Sequence, residues 1–306
     1  MVQKDSVMAK DCIFIIGPTA SGKTKLSIDL AKELGGEIIN ADSMYIYKEM
    51  NIGTAKPTKQ EMSNVPHHLI DIINPIDDFS VATYSKLTRE LISTIKLPII
   101  VGGTGFYIDS ILYNHSYGQC FDEKRRNEIK EYYATNGIDA LYNRLKAIDP
   151  NTTVNKNDVK RVIRAIEISE STNIASSKLC DKSINSDINP IIIYLNMDRA
   201  ILYDRINRRV DQMINNGLID EVKNIHSKYS NSLDKIVAIG YKELFDYIDG
   251  KTTIDESIEL IKKRTRNYAK RQITWFKRYK NAMWFDLNKD SFDTILSTIK
   301  SKLTNK

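Results

Sequence analysis

A chain of 306 residues with 42% hydrophobic and 27% charged side chains has enough apolar material for a sizeable core and the balance of an ordinary globular protein. No apolar run approaches the ~20 residues that cross a bilayer, and the N-terminal stretch with Lys4, Asp5, Lys10 and Asp11 lacks a signal-peptide core, so a cytoplasmic protein with no membrane contact is expected. The net charge of +6 is modest, and Cys12, Cys120 and Cys180 are too scattered for a disulfide framework or a zinc site; they are expected as packing residues.

Residues 12–16 form an apolar strand that runs straight into Gly17-Pro18-Thr19-Ala20-Ser21-Gly22-Lys23-Thr24, and residues 23–34 continue as a helical pattern. Strand, G-x-x-x-x-G-K-T and helix in that order make a phosphate cradle. The glycines let consecutive backbone N–H groups converge on phosphate oxygens, Lys23 adds a point charge, and Thr24 offers a hydroxyl to Mg²⁺ at the helix N-terminus. A short strand at 37–40 and a nearly all-apolar strand at 97–101 follow, the latter leading into Gly102-Gly103-Thr104-Gly105. Continuous apolar strands separated by helices imply a parallel sheet covered on both faces, with ligands at the carboxyl ends of its strands.

From about residue 118 to 187 only helices are expected, at 122–134, 138–148 and 157–170, and 171–189 looks like a polar return loop. Residues 190–195 restore a sheet strand, so the core is expected to be discontinuous. Helices are expected at 199–216, 218–229, 241–248 and 254–279, then a short strand at 283–287. The long helix carries Lys262, Lys263, Arg264, Arg266, Lys270, Arg271, Lys277, Arg278 and Lys280, interleaved with Tyr268, Trp275, Phe276 and Tyr279. No acidic residue lies between Leu260 and Phe285. The run is either a footprint for a polyanion or a solvated face whose aromatics turn inward.

The cradle alone specifies phosphate, not a reaction. Phosphoryl-transfer proteins usually place an acidic residue at the end of a second strand, yet the strand at 97–101 ends in glycines. The carboxylate that stands out is Asp42, just past the strand at 37–40 and so on the same rim as the cradle. It is either a reactive group or the N-cap of a helix. His67 and His68 are adjacent with no other His at ligand spacing and are taken as structural or as supporting a site without touching its ligand. A nucleotide kinase and a non-catalytic RNA-binding switch both remain compatible with these features.

In order, the chain presents Gly17 to Thr24, Ala41-Asp42-Ser43-Met44, Ile52-Gly53-Thr54-Ala55-Lys56-Pro57, Pro66-His67-His68-Leu69-Ile70-Asp71 and Val101-Gly102-Gly103-Thr104-Gly105. Asn157-Asp158 with Arg161 and Arg164, Arg205-Ile206 with Arg209, Ile239-Gly240-Tyr241 and Arg271-Gln272-Ile273-Thr274-Trp275-Phe276 follow. So ordered a set of motifs resembles the bacterial tRNA dimethylallyltransferase family, also called tRNA isopentenyltransferases, over nearly the whole chain. The resemblance implies an α/β, P-loop NTPase-like parallel sheet core formed by residues 1–117 and 188–306. It also implies an all-helical insertion at 118–187 that contacts tRNA, and a helical C-terminal part.

The activity it implies is transfer of a dimethylallyl group from dimethylallyl diphosphate to the exocyclic amine of the adenosine 3′ of the tRNA anticodon, with release of diphosphate. On that footing the catalytic set is Asp42 as general base with Lys23, Arg209 and Thr19. The diphosphate site is Gly17, Pro18, Thr19, Ala20, Ser21, Gly22, Lys23, Thr24 and Arg209, and Thr24 helps hold Mg²⁺. Facing the tRNA anticodon stem-loop are Asp42, Ser43, Met44, Tyr45, Thr104, Lys160, Arg161, Val162, Ile163, Arg164, Ile239, Gly240, Tyr241, Lys242, Lys270 and Arg271. No obligate protein partner is implied. The chain departs from the family at Tyr45, where a glutamine is usual.

Overall fold

The computed structural model describes residues 9–115 and 123–304. Its elements are β1 (Lys10–Ile16), α1 (Lys23–Leu34), β2 (Glu37–Asn40), α2 (Lys59–Met62), β3 (His67–His68), α3 (Val81–Thr94), β4 (Pro98–Gly102), α4 (Gly105–Leu112), β5 (Tyr113–His115), α5 (Glu123–Ile148), α6 (Val159–Thr172), β6 (Cys180–Ile184), β7 (Ile188–Asn196), α7 (Arg199–Asn215), α8 (Leu218–Lys228), α9 (Tyr241–Ile248), α10 (Ile254–Phe276), β8 (Met283–Asp286) and α11 (Phe292–Thr304). The chain divides into two compact units, Met1–Ile108 with Ser186–Lys306, and Asp109–Asn185.

Six strands of the first unit form a sheet ordered β3-β2-β4-β1-β7-β8, parallel throughout. The fold is α/β, as the alternating strands and helices require. β1 lies inside the sheet because both of its faces are apolar. Ile13 and Ile15 pack with Leu26 and Leu30 of α1 and Ile295 and Ile299 of α11, while Phe14 and Ile16 are fully buried on the opposite face. A strand covered on both sides carries an unbroken apolar run, and each such side chain stabilises by roughly 1.5–3 kcal/mol. Cys12 is buried here as a packing residue, while Cys120 and the expected domain and helix starts at 118 and 122 lie outside the described residues.

Parallel strands end on one rim, and here three ends come together. Ile16 of β1 sits opposite Gly102 of β4, and Asn40 of β2 opposite Val101. Beyond the ladder, the Ala41 N–H donates to the Val101 carbonyl at 2.7 Å, and the Thr104 N–H donates to the Ala41 carbonyl at 3.1 Å. The crossing is so close that a Cβ on Gly102 would lie 2.1 Å from the Ala41 carbonyl carbon. Glycine at 102 is what lets β2 deliver Asp42 beside the loop after β1.

The second unit corrects the expectation of an all-helical insertion. It begins at Asp109, and β5 pairs antiparallel with β6 inside the segment expected as a return loop. A two-stranded ribbon makes its bonds through the backbone and needs no apolar face, so residues 181–185, polar except for Ile184, gave no alternation to detect. The helices expected at 122–134 and 138–148 run together as α5 with a break at Gly137 (φ 75°, ψ 179°). Ile129, Leu141 and Leu145 of α5 pack on Val162, Ile163 and Ile166 of α6. Glu167, fully buried in this unit, is paired by Arg126 at 2.9 Å and Arg164 at 3.0 Å.

Two alanine substitutions separate crowding from backbone strain. Gly35→Ala meets nothing within 4 Å at a φ of 64° and is expected to lose about 1 kcal/mol to left-handed strain alone. Gly102→Ala must push apart the β2 and β4 ends and is expected to lose about 3 kcal/mol. Urea denaturation of both variants checks this, and equal losses would mean that the Ala41 crossing yields freely.

Candidate active site

The loop after β1 is shaped by residues that turn where most cannot. Gly17 has φ 152° and a Cβ there would meet the Leu195 carbonyl oxygen at 2.8 Å; Gly22, at φ 96°, caps α1 with Leu287 Cδ1 2.7 Å from its missing Cβ. Lys23 folds back, its ammonium donating to the Gly17 carbonyl at 2.9 Å and the Pro18 carbonyl at 2.7 Å. Burial drags the Lys23 pKa down to about 7, with the Asp42 carboxylate opposing that shift and Arg209 adding to it. Ser21 is buried and its hydroxyl has no hydrogen-bond partner among the described residues. A buried hydroxyl left over in an anion-shaped loop is a group awaiting a ligand.

Asp42 reaches the rim through a local lock. Asn40 accepts the Asp42 N–H at 2.8 Å and donates to the carbonyls of Asp42 and Leu69, both at 2.9 Å. Asp42 Oδ1 then accepts the Met44 N–H at 2.9 Å, which closes a side-chain turn rather than capping a helix, since residues 43–46 form turns. The N-cap alternative is thereby set aside. Burial raises the Asp42 pKa above the usual carboxylate range, countered in turn by the Met44 amide, Lys23 and Arg209. Thr104 accepts the Ser43 N–H at 2.9 Å and donates to the Ser43 hydroxyl at 3.2 Å, so the β4–α4 junction steadies the same turn.

From α7, Arg209 donates to Thr19 Oγ1 at 3.4 Å and to the Ala55 carbonyl at 3.5 Å. Of its two neighbours, Arg208 turns to Asp204 at 2.5 Å, while Arg205 contacts the Met197 sulfur. From α10, Gln272 accepts the Thr19 N–H at 2.8 Å and donates to the Gly103 carbonyl at 2.9 Å. Sequence reasoning gave Gln272 no individual role. Its only signal was its place in the last motif, because a buried amide bridging two distant loops leaves no local pattern. Glu221 of α8 was missed for the same reason: its carboxylate accepts the N–H groups of Asn51, Ile52 and Gly53 at 2.8–3.1 Å and the Tyr241 hydroxyl at 2.6 Å.

Two cavities open on this constellation. One of about 600 Å³ is lined by Thr19 to Lys25, Asp42, Tyr45, Arg205 and Arg209, and one of about 280 Å³ by Asp42, Met44, Val210, Met213, Ile239, Tyr268 and Arg271. Thr19, Asp42, Thr54 and Arg209 belong to both. The larger is polar and cationic, suited to an anion, and the smaller is more apolar, with the Tyr268 ring in its wall, suited to a planar group. Among the described residues no cluster of three His, Cys, Asp or Glu side chains could hold a metal, and His68 instead pairs with Glu37 at 2.7 Å. Mg²⁺ fits here only through the Thr24 and Ser21 hydroxyls together with oxygens of a bound anion, the usual pattern for that ion.

The residues expected to face RNA divide. Ser43, Met44, Thr104, Ile239 and Arg271 lie around Asp42, and Lys242 and Lys270 are exposed. The side chains of Val162, Ile163 and Tyr241 are core, because α6 and α9 present those positions to their own apolar clusters. Lys160, Arg161 and Arg164 lie on α6 of the second unit, where Arg161 pairs with Asp158 at 3.3 Å. The basic run of α10 is partly internal as well. Lys262 pairs with Asp211, Arg264 with Glu243, and Arg266 bonds Asn207, whereas Lys263, Lys270, Arg271, Lys277 and Lys280 stay exposed. Phe276 and Tyr279 are buried and Tyr268 lines the smaller cavity, so the aromatics turn inward.

Residues 45–279 match the family model described as IPP transferase. The chain is 49% identical to the tRNA dimethylallyltransferase of Thermoanaerobacter sp. (strain X514), over 91% of this chain and 92% of that one. Among solved structures it is similar to the tRNA isopentenylpyrophosphate transferase of Bacillus halodurans, with a TM-score of 0.71, 43% identity and coverage of 97% and 96%. It is also similar to a eukaryotic dimethylallyltransferase acting on tRNA, with a TM-score of 0.84, 27% identity and coverage of 97% and 80%. Matched along most of its length, with the loop and rim of the site within a fold these relatives share, the chain belongs to the IPP transferase family.

Proposed function

We propose that the protein transfers a dimethylallyl group from dimethylallyl diphosphate to the exocyclic amine of the adenosine 3′ of the tRNA anticodon, in the cytoplasm. The observation that carries this reading is the pair of cavities meeting at Asp42, Thr19 and Arg209. The diphosphate lies in the larger one, against the backbone amides of Gly17 to Thr24, Lys23 and Arg209. The adenine enters the smaller one, which requires that it leave the anticodon-loop stack. Its amine nitrogen bonds to the allylic carbon as the carbon–oxygen bond breaks, and the electron pair departs with the diphosphate. Lys23 and Arg209 stabilise the charge that grows on the leaving oxygen, and Asp42 takes the proton from the amine. Thr24 and Ser21, with oxygens of the diphosphate, would hold Mg²⁺, which when bound would add to the charge neutralisation. Transfer of label from radiolabelled dimethylallyl diphosphate to unmodified tRNA tests the reading directly, and unlabelled RNA refutes it.

Asp42→Asn keeps an oxygen to accept the Met44 N–H but cannot take a proton. Single-turnover transfer is expected to fall by ~10²–10⁴ with tRNA affinity preserved. Turnover near the parent's would remove Asp42 from the chemistry.

The pH dependence has a definite sign. Asp42, its pKa raised by burial, must lose its proton to act, so kcat/KM rises on the acid side; Lys23, with a pKa of about 7 before ligand binds, must keep its proton to hold the diphosphate, so kcat/KM falls above neutrality. In Lys23→Arg the alkaline fall is expected to disappear over pH 7–9, because a guanidinium stays charged. A profile measured for both proteins decides the point.

Lys270 and Lys277 are exposed on or next to the basic helix, whereas Lys262 is held by Asp211 and Glu259. Lys270→Gln and Lys277→Gln are each expected to lower the slope of log tRNA affinity against log salt by roughly 0.7–0.9, and Lys262→Gln to leave it unchanged. Equilibrium binding across a salt series is the measurement.

A further inference from the structure

The resemblance puts Tyr45 at the RNA, but the geometry around it faces the other way. The side-chain turn at Asp42 sends neighbouring residues apart: Met44 lines the smaller cavity, while Tyr45 lines the larger one beside Lys23 and Thr24. The Tyr45 hydroxyl donates to the Ala55 carbonyl at 2.8 Å, the same oxygen that receives Arg209 at 3.5 Å, and the phenol oxygen also faces the guanidinium. Ala55 holds a left-handed φ of 55°, a strained conformation for alanine that persists only where its surroundings fix it. Arg209 has two long tethers, at 3.4 and 3.5 Å, and the short phenol bond secures the carbonyl at the end of one. Burial raises the phenol pKa to about 12, so it stays a donor across the working pH range.

We propose that Tyr45 is a positioning residue for Arg209 at the diphosphate end of the donor cavity, setting affinity for the prenyl diphosphate rather than contacting tRNA. The proposal rests on the larger cavity holding the diphosphate. In this chain the residue that replaces the family's glutamine therefore tunes the donor side. A tyrosine offers one hydroxyl on a rigid ring, which fixes the Ala55 carbonyl and the guanidinium at the loss of two torsions, where a glutamine would immobilise three.

The test uses the full chain with Mg²⁺. Tyr45→Phe keeps the ring and removes only the hydroxyl, and its thermal midpoint is measured first against the parent's. Inorganic diphosphate binding by calorimetry, donor KM, kcat and tRNA affinity are then compared in Tyr45→Phe, Arg209→Ala and the double variant. Tyr45→Phe is expected to weaken diphosphate binding and to lower kcat/KM for the donor about fivefold, the worth of one hydrogen bond, with tRNA affinity within about twofold. In the Arg209→Ala background the same change should have no further effect, because the group it positions is gone. Weaker tRNA binding with unaltered diphosphate affinity, or an equal loss with and without Arg209, overturns the proposal alone. Failure of the parent to bind diphosphate overturns the reading of the cavity and the proposal together.

Discussion

A carboxylate drawn out of water between a lysine and an arginine sets the terms for the rest of this site. Burial pushes the Asp42 carboxyl up and the Lys23 ammonium down, and each shift is partly opposed by the other group. With Arg209 included, the group carries more positive than negative charge, and Arg205 on the same cavity adds to the excess. Without a ligand, Lys23 satisfies itself on the carbonyls of Gly17 and Pro18. An anion with several oxygens relieves all of these at once, which is why the polar cavity and the buried, unpartnered Ser21 hydroxyl point to the same class of ligand.

The core of the fold was legible because its physics is local. β1, β2, β4 and β7 announce themselves as apolar runs, and G-x-x-x-x-G-K-T needs no partner beyond the strand and helix that flank it. α7, α8 and α9 fall within a residue of their expected ends; α7 starts at the Asp198 cap, while α8 and α9 follow Gly217 and Gly240, glycines that turn where most residues cannot. The β5–β6 ribbon was invisible because backbone bonds and one polar side-chain bond, Asn114 to Ser183 at 3.0 Å, join it, and neither leaves an apolar pattern. β3, a two-residue strand, was invisible because its identity depends on lying next to β2. The site divides in the same way. Asp42 and the loop stand out in sequence, but Gln272 and Glu221 act through contacts 253 and about 170 residues away in the chain, a distance across which no motif speaks.

The basic helix shows why charge counting overstates a surface. Of the cations on α10, Lys262, Arg264 and Arg266 answer two acids and an amide on α7 and α9, and they hold helices together rather than waiting for phosphate. The exposed cations cluster toward the end that carries Gln272, and there the aromatics of the same segment face inward: Phe276 and Tyr279 bury, Tyr268 turns to Asp42's cavity, and Arg278 lies 3.9 Å over Trp275. One helix thus presents cations outward and, a turn away, bonds the Thr19 amide inward. The aromatics turn inward on one face, and on the other the exposed cations leave a surface open to a polyanion.

Rigidity around the two cavities is supplied in part by groups that do not line them. Gln272 ties Thr19 to Gly103, Thr104 ties Ser43 to the end of β4, and Glu221 gathers three successive amides that lead into Thr54, a wall of both cavities. Three N–H donors and a phenol on one carboxylate are charge-assisted bonds, stronger than neutral ones, and they hold residues 51–53 with no secondary structure of their own. Gly53 must lie against the Tyr241 ring for this to work, since a Cβ would meet Cε2 at 2.6 Å. That is the reason two motifs far apart in sequence, Ile52-Gly53-Thr54 and Ile239-Gly240-Tyr241, belong together. Each is half of a clamp, and the reaction proposed at Asp42 gains from it because donors fixed before the substrate arrives need not reorganise as charge develops.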